Sequence, residues 1–227
     1  SGSDVIDIGL APTPAVAFYS RGLAGGAMVT ASHNPPQYNG VKLFSGEGSS
    51  VASGFYSELV RLIDERPEKA SYDRLGGVRS GGGIRSYIDA ISSSRSLSKG
   101  WRFVLDPGKG ATTVTASIAF MNSGCSHSAI NVIPDGRFPG RGSEPDGEAL
   151  KPLSELVRSK SLDIGFAYDG DGDRFAAVDE TGRPIPQDAC LAFAASQLVK
   201  LEGGDGTVVV NADTSAAVDI LVEEAGG

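Results

Sequence analysis

The chain of 227 residues is 40% hydrophobic and 21% charged, which is the composition of an ordinary folded protein and enough for two small cores. A formal net charge of -8 with no run of Lys or Arg excludes nucleic acid as the partner. A small anionic substrate, held by local positive groups and metal, stays open.

Asp4 to Gly9 alternates like a strand, yet it begins almost at the first residue with nothing before it to pair with. Ala11-Pro12-Thr13-Pro14 is a turn or helix start that leads into a helix over Ala15 to Leu23. Ala27 to Thr30 is a short strand, and it delivers the loop Ala31 to Gly40. Pro35, Pro36 and the Asn39-Gly40 pair force that loop into a defined path. Val41 to Phe44 returns as a strand. Phe55, Leu59, Leu62 and Ile63 have helical spacing, followed by a charged stretch from Asp64 to Asp73 and a glycine break at Ser80 to Gly83. A domain boundary falls near residue 84.

Beyond it, Ile84, Tyr87, Ile88 and Ile91 share one helix face, and Trp101 to Leu105 reads as a strand. Asp106-Pro107-Gly108-Lys109-Gly110-Ala111-Thr112 fails both nucleotide-binding templates in its spacing and reads as a tight strand-to-helix turn. A helix Ala111 to Asn122, strand Ala129 to Ile133, helix Glu148 to Ser159 and strand Leu162 to Tyr168 continue an alternation that predicts α/β layering. Arg174 to Asp179 is a further strand with a hairpin turn at Glu180-Thr181-Gly182. Asp188 caps a helix Ala189 to Leu201 that Gly203-Gly204 ends. Thr207 to Asn211 reads as a buried strand, Thr214 as an N-cap, and Ala216 to Ala225 as a helix. A strand and helix of this kind normally lead into another strand, so the chain reads as part of a longer polypeptide.

Between two strands lies Asp169-Gly170-Asp171-Gly172-Asp173-Arg174. Residues at i, i+2 and i+4 of an extended backbone share a face, so the aspartates converge, and the glycines let the loop curl. Carboxylates so crowded raise one another's pKa unless a divalent cation joins them. All-oxygen ligands select Mg²⁺, Ca²⁺ or Mn²⁺. A solvated acidic turn would need no metal, but the spacing is regular. An EF-hand fails because its sixth position must be glycine and here is Arg174, and because the flanks are strand-like. Arg174 could pair with an anionic ligand shared with the metal, such as phosphate.

Ser32 with His33 is weak on its own, since adjacent side chains form no dyad by being neighbours. Lys42, across the loop, could bring a cation to the hydroxyl. Combined with the acidic loop, a serine on a rigid loop describes phosphoryl transfer through a phosphoserine. Cys125 and Cys190 lack a C-x-x-C pattern and read as reduced thiols. With no leader and no apolar run long enough for a membrane span, the expectation is a cytoplasmic protein without membrane contact.

Thr30-Ala31-Ser32-His33-Asn34-Pro35-Pro36 followed by Tyr38-Asn39-Gly40-Val41-Lys42 resembles the phosphoserine loop of the α-D-phosphohexomutases, the phosphomannomutase and phosphoglucomutase group. Asp169 to Arg174 is similar to that family's magnesium loop. Asp135-Gly136-Arg137-Phe138-Pro139 with Glu144-Pro145, and Val178 to Gly182, match its flanking text.

The resemblance implies four domains around a cleft, the first three being three-layer α/β units with mixed sheets, of which this chain is a fragment. Residues 1–84 would be the C-terminal part of the first domain, 85–179 the second, and 180–227 the beginning of the third. The resemblance further implies Ser32 as the phosphoserine, and Asp169, Asp171 and Asp173 as Mg²⁺ ligands together with a phosphoryl oxygen on Ser32. Lys42 and Arg174 would neutralise the transferring phosphate, with His33 a nearby contact. The implied reaction interconverts hexose 1-phosphate and hexose 6-phosphate through a hexose 1,6-bisphosphate. The family's N-terminal Gly-Thr-x-Gly-x-Arg segment and its sugar-reading and phosphate-binding loops are missing, so the fragment alone should be inactive and the sugar stays open. Alternatives are a phosphoglucosamine mutase and a non-catalytic protein that binds metal or phosphosugar. The oligomeric state is not legible.

Overall fold

A computed structural model describes residues 2–65, 69–81, 84–93 and 100–227. The first unit holds two strand pairs. β1 (Val5–Asp7) pairs in parallel with β4 (Val78–Ser80), and β2 (Gly25–Val29) pairs antiparallel with β3 (Val41–Ser45). The opening strand therefore finds its partner far downstream, in residues too few to carry a periodic signal. Of the expected charged stretch and glycine break, residues 66–68 and 82–83 lie outside the described residues.

Helix α1 (Thr13–Ser20) starts earlier than the spacing predicts, because Pro14 in its first turn has the right φ and no N–H to lose. It ends sooner than Leu23 because Arg21 is already extended (φ -63, ψ 127). Ala15 and Val16 bury against Ala11 and Phe44, with Ile8, Met28 and Tyr87 around them. Helix α2 (Ser53–Asp64) has the expected apolar face, but buries none of its residues: Ile63 is 63% exposed.

The second unit is a four-stranded mixed sheet of β5 (Phe103–Asp106), β6 (His127–Ala129), β7 (Ile164–Tyr168) and β8 (Phe175–Asp179). The spatial order is β6-β5-β7-β8, with β8 alone antiparallel to its neighbour. Helix α4 (Ala116–Asn122) covers one face, with α3 (Arg85–Ser93) lying against it, and α5 (Lys151–Lys160) covers the other. Successive residues of β5 serve opposite layers. Val104 packs with Leu150, Leu153 and Val157, while Phe103 and Leu105 pack with Ala116 and Phe120. A strand buried on both faces reads as an unbroken apolar run.

The strand expected at Ala129 to Ile133 lies earlier, because Asn131 takes a left-handed φ of 53° and ends it. The helix expected at Ala111 to Asn122 opens as a 3-10 turn, Ala111–Val114, and breaks at Thr115 before α4. A 3-10 turn, Gly147–Leu150, likewise precedes α5.

Helices α6 (Gln187–Leu201) and α7 (Ala217–Glu224) pack through Ala192, Ala195, Val199, Val218 and Val222. Asp188 makes no cap hydrogen bond; it lies inside the first turn of α6, where its charge still favours the positive helix end. Thr214 is not the cap of α7 either, since the Ser215 hydroxyl accepts the Ala217 N–H. The strand expected at Thr207 to Asn211 does not form. Among the described residues no strand pairs with it, and Val209 is 90% exposed. Both cysteines are free thiols, and among the described residues no helix is long and apolar enough to cross a membrane.

Candidate functional site

The reversal from β7 to β8 carries the three aspartates. Its backbone is a turn rather than the extended segment expected, with Gly172 at φ +73. Three of its carbonyls are held by three other segments. Tyr168 accepts Arg141 Nη2 at 2.7 Å, Gly170 accepts the Ala111 N–H at 2.9 Å, and Asp171 accepts the Thr13 N–H at 2.8 Å. A Cβ at residue 170 would stand 2.8 Å from the Ser32 carbonyl, so glycine there is what lets the serine loop approach.

One oxygen from each of Asp169, Asp171 and Asp173 lies within 4.8 Å of the others. The convergence is as expected; the turn, not strand alternation, produces it. Asp169 and Asp171 are buried and Asp173 is exposed. Asp169 Oδ1 accepts the N–H groups of Gly172 (2.9 Å) and Arg174 (3.1 Å), whereas its Oδ2 is buried with no hydrogen-bond partner among the described residues. Burial, reinforced by the neighbouring carboxylates and only partly opposed by those two N–H groups, pushes the Asp169 carboxyl up to about 6.

Asp171 goes the other way. Burial raises its pKa, but the Lys42 ammonium at 2.7 Å and the Thr30 hydroxyl at 3.0 Å outweigh it and hold the carboxyl below its ordinary value. Lys42 Nζ also reaches Asp173 at 2.6 Å. Burial would lower the lysine's pKa, and the two carboxylates raise it. The cation expected beside the serine hydroxyl is thus bound to the acidic loop.

Ser32 sits at φ +55, a conformation that costs a non-glycine residue about 1–2 kcal/mol and marks a site held by its surroundings. Its N–H donates to Thr30 Oγ1 at 2.9 Å, and the Thr30 hydroxyl in turn donates to Asp171 Oδ2 at 3.0 Å. Ser32 Oγ lies 3.5 Å from Asp171 Oδ1. His33 Nδ1 has no hydrogen-bond partner among the described residues and stands 3.9 Å from Glu144. Arg174, exposed, reaches Glu144 at 3.3 Å. All seven expected residues therefore gather at one place, and Ser32 and Asp171 among them line a cleft of about 700 Å³.

Arg141 and Ser143 contribute to this geometry and carried no functional signal in the sequence, while Thr30 and Asp106, which also contribute, stood in quoted stretches without a role. Glu144 stood in a quoted motif without a role. The one available hint was the glycine spacing of residues 106–112: at Gly110 a Cβ would meet the Gly170 carbonyl at 2.4 Å.

A divalent cation fits the residues present. The donors are all carboxylate oxygens, one buried oxygen lacks any partner, and that carboxyl is hard to ionise without a cation.

Two family profiles match the chain: "Phosphoglucomutase/phosphomannomutase, alpha/beta/alpha domain I" over residues 1–70 and the corresponding domain II over residues 85–182. A phosphopentomutase of Thermococcus kodakarensis is 39% identical across the whole chain, which covers 51% of that protein. A probable phosphoglucosamine mutase of Methanopyrus kandleri is 36% identical, again over the whole chain and 51% of the relative. The crystal structure of a putative phosphomannomutase from Thermus thermophilus superposes with a TM-score of 0.78 at 28% identity, covering 95% of this chain and 50% of that one. The chain spans about half the length of the relatives it matches.

Proposed function

The chain belongs to the phosphoglucomutase/phosphomannomutase family, and from that premise we propose that it carries the phosphoryl-transfer centre of a phosphohexomutase. The observation that carries the proposal is a serine in a left-handed conformation, 3.5 Å from Asp171 in a cluster of three aspartates, two of which a lysine bridges. Ser32 bears the phosphoryl group. The P–O bond to Ser32 Oγ breaks as a new one forms to a hydroxyl of a hexose phosphate, giving the hexose 1,6-bisphosphate. Return of the other phosphoryl group restores phosphoserine and releases the isomer.

Asp169, Asp171, Asp173 and a phosphoryl oxygen on Ser32 would hold Mg²⁺. When bound, the ion neutralises charge on the phosphoryl oxygens as they transfer. Lys42 balances the carboxylates and screens Ser32 Oγ from them. Thr30 fixes the backbone that aims the hydroxyl. Arg174 releases Glu144 to meet phosphate, for which a guanidinium fork is suited. His33 is a contact of the same loop. Residues 1–84, 85–179 and 180–227 are taken as parts of three successive domains.

The sugar is drawn from the chemistry of the relatives: one is named a phosphopentomutase and several probable phosphoglucosamine mutases, so pentose and glucosamine phosphates stand beside mannose and glucose. Incubating the full-length protein with glucose 1,6-bisphosphate and mapping phosphopeptides tests the mechanism. One added phosphoryl group on the Ser32 peptide is expected. Label only on other residues overturns it, and no label anywhere favours a non-catalytic binding protein. A panel of phosphosugars then identifies the substrate.

A further inference from the structure

Four consecutive residues, Arg141-Gly142-Ser143-Glu144, reach both the serine loop and the acidic loop. The Arg141 guanidinium is buried. Its Nε donates to Asp106 Oδ2 at 3.3 Å and its Nη2 to the Tyr168 carbonyl at 2.7 Å, at the foot of the acidic loop. Asp106 is itself locked, since its Oδ1 accepts the Gly108 N–H and the Asn131 amide, both at 2.9 Å. After Gly142, which is left-handed at φ +81, the buried Ser143 hydroxyl donates to the carbonyls of His33 and Asn34, on the serine loop. Glu144 then meets Arg174 and faces His33.

We propose that residues 141–144 are a positioning bracket that sets the separation of the Ser32 hydroxyl from the acidic loop, Ser143 holding the serine loop and Arg141 the acidic one. The direct contacts between the two loops run through Ser32, Thr30, Lys42 and Asp171 side chains, and these must rearrange when a cation or a phosphoryl group enters. Those made by Arg141 and Ser143 go to backbone carbonyls, whose charge does not change during transfer. They can hold both loops while the side chains between them exchange partners. The bracket's catalytic meaning rests on the phosphoserine reading; its geometry does not.

The test uses the full-length protein with Mn²⁺ as the probe. Ser143→Ala should speed amide hydrogen exchange in residues 31–39 about tenfold, the scale of one net hydrogen bond, while Mn²⁺ affinity by paramagnetic resonance stays within about twofold. Arg141→Lys keeps the charge and loses the fork; it should weaken Mn²⁺ binding about tenfold and leave exchange in 31–39 unchanged. Where Ser32 accepts phosphate, Ser143→Ala should slow that step about tenfold. Unchanged exchange in 31–39 for Ser143→Ala, or exchange and Mn²⁺ affinity lost together in that variant, overturns the bracket. A wild-type protein that never phosphorylates Ser32 removes the proposed function, while exchange and Mn²⁺ affinity still decide the bracket.

Discussion

Replacing Asp169 with Asn should stabilise the metal-free protein at neutral pH while abolishing its response to metal. Asp169 is fully buried, and desolvation raises its carboxyl from 3.8 to about 6. The folded state therefore holds a proton that the unfolded chain has given up between those two values. For this group stability is fully present below about pH 4 and is lost as pH rises through about 6. At 1.36 kcal/mol per pH unit the gap corresponds to about 3 kcal/mol of destabilisation at pH 7.5. Asparagine keeps an oxygen for the Gly172 and Arg174 N–H groups and carries no charge. Its amide nitrogen would take the place of the unpartnered Oδ2, in a cluster whose carboxylate oxygens lie within 4.8 Å of one another. The net expectation is a gain of about 1–3 kcal/mol, allowing for imperfect pairing of that nitrogen. Urea unfolding of the intact protein in EDTA at several pH values from 4 to 8 measures it. Wild type should lose stability across the range relative to the variant, the two curves converging near pH 4, and Mg²⁺ should restore wild type alone. A variant less stable than wild type at pH 7.5 in EDTA would refute the assignment of Asp169 as a buried, uncompensated carboxylate.

Asp171→Asn, which removes a charge that Lys42 and Thr30 both engage, should weaken Mg²⁺ binding and slow phosphorylation of Ser32; metal titration against the phosphorylation rate checks it, and unchanged metal dependence sinks it. Gly108→Ala should cost about 1–3 kcal/mol in urea unfolding, because residue 108 sits at φ +59 and a Cβ would stand 2.3 Å from Arg141 Nη1, displacing a guanidinium already locked in place. The 227-residue chain expressed alone should show no appreciable turnover on mannose or glucose 1-phosphate. Positioning contributes about 7–11 kcal/mol in well-oriented reactions, and this chain spans about half of its relatives. A coupled assay finding ordinary enzymatic rates would show that the chain carries more of the site than proposed.

The residues that determine chemistry by their own type were legible without a structure. Three aspartates at alternating positions, a serine before Pro35-Pro36 and a lysine after Asn39-Gly40 stood out as candidates by charge and rigidity, and the structure brings them together. The α/β class was legible for a similar reason: β5, buried on two faces, and α5, apolar on one, impose different periods on the sequence. Strand pairing was not. Val78 to Ser80 becomes β4 only because β1 lies beside it, and Thr207 to Asn211, strand-like in composition, pairs with no strand among the described residues. The bracketing residues were equally hidden. Arg141 and Ser143 act on backbone carbonyls, and any carbonyl looks like any other in a sequence. Which one a side chain will reach is decided by the packing of β5, β7 and the serine loop, and by that alone.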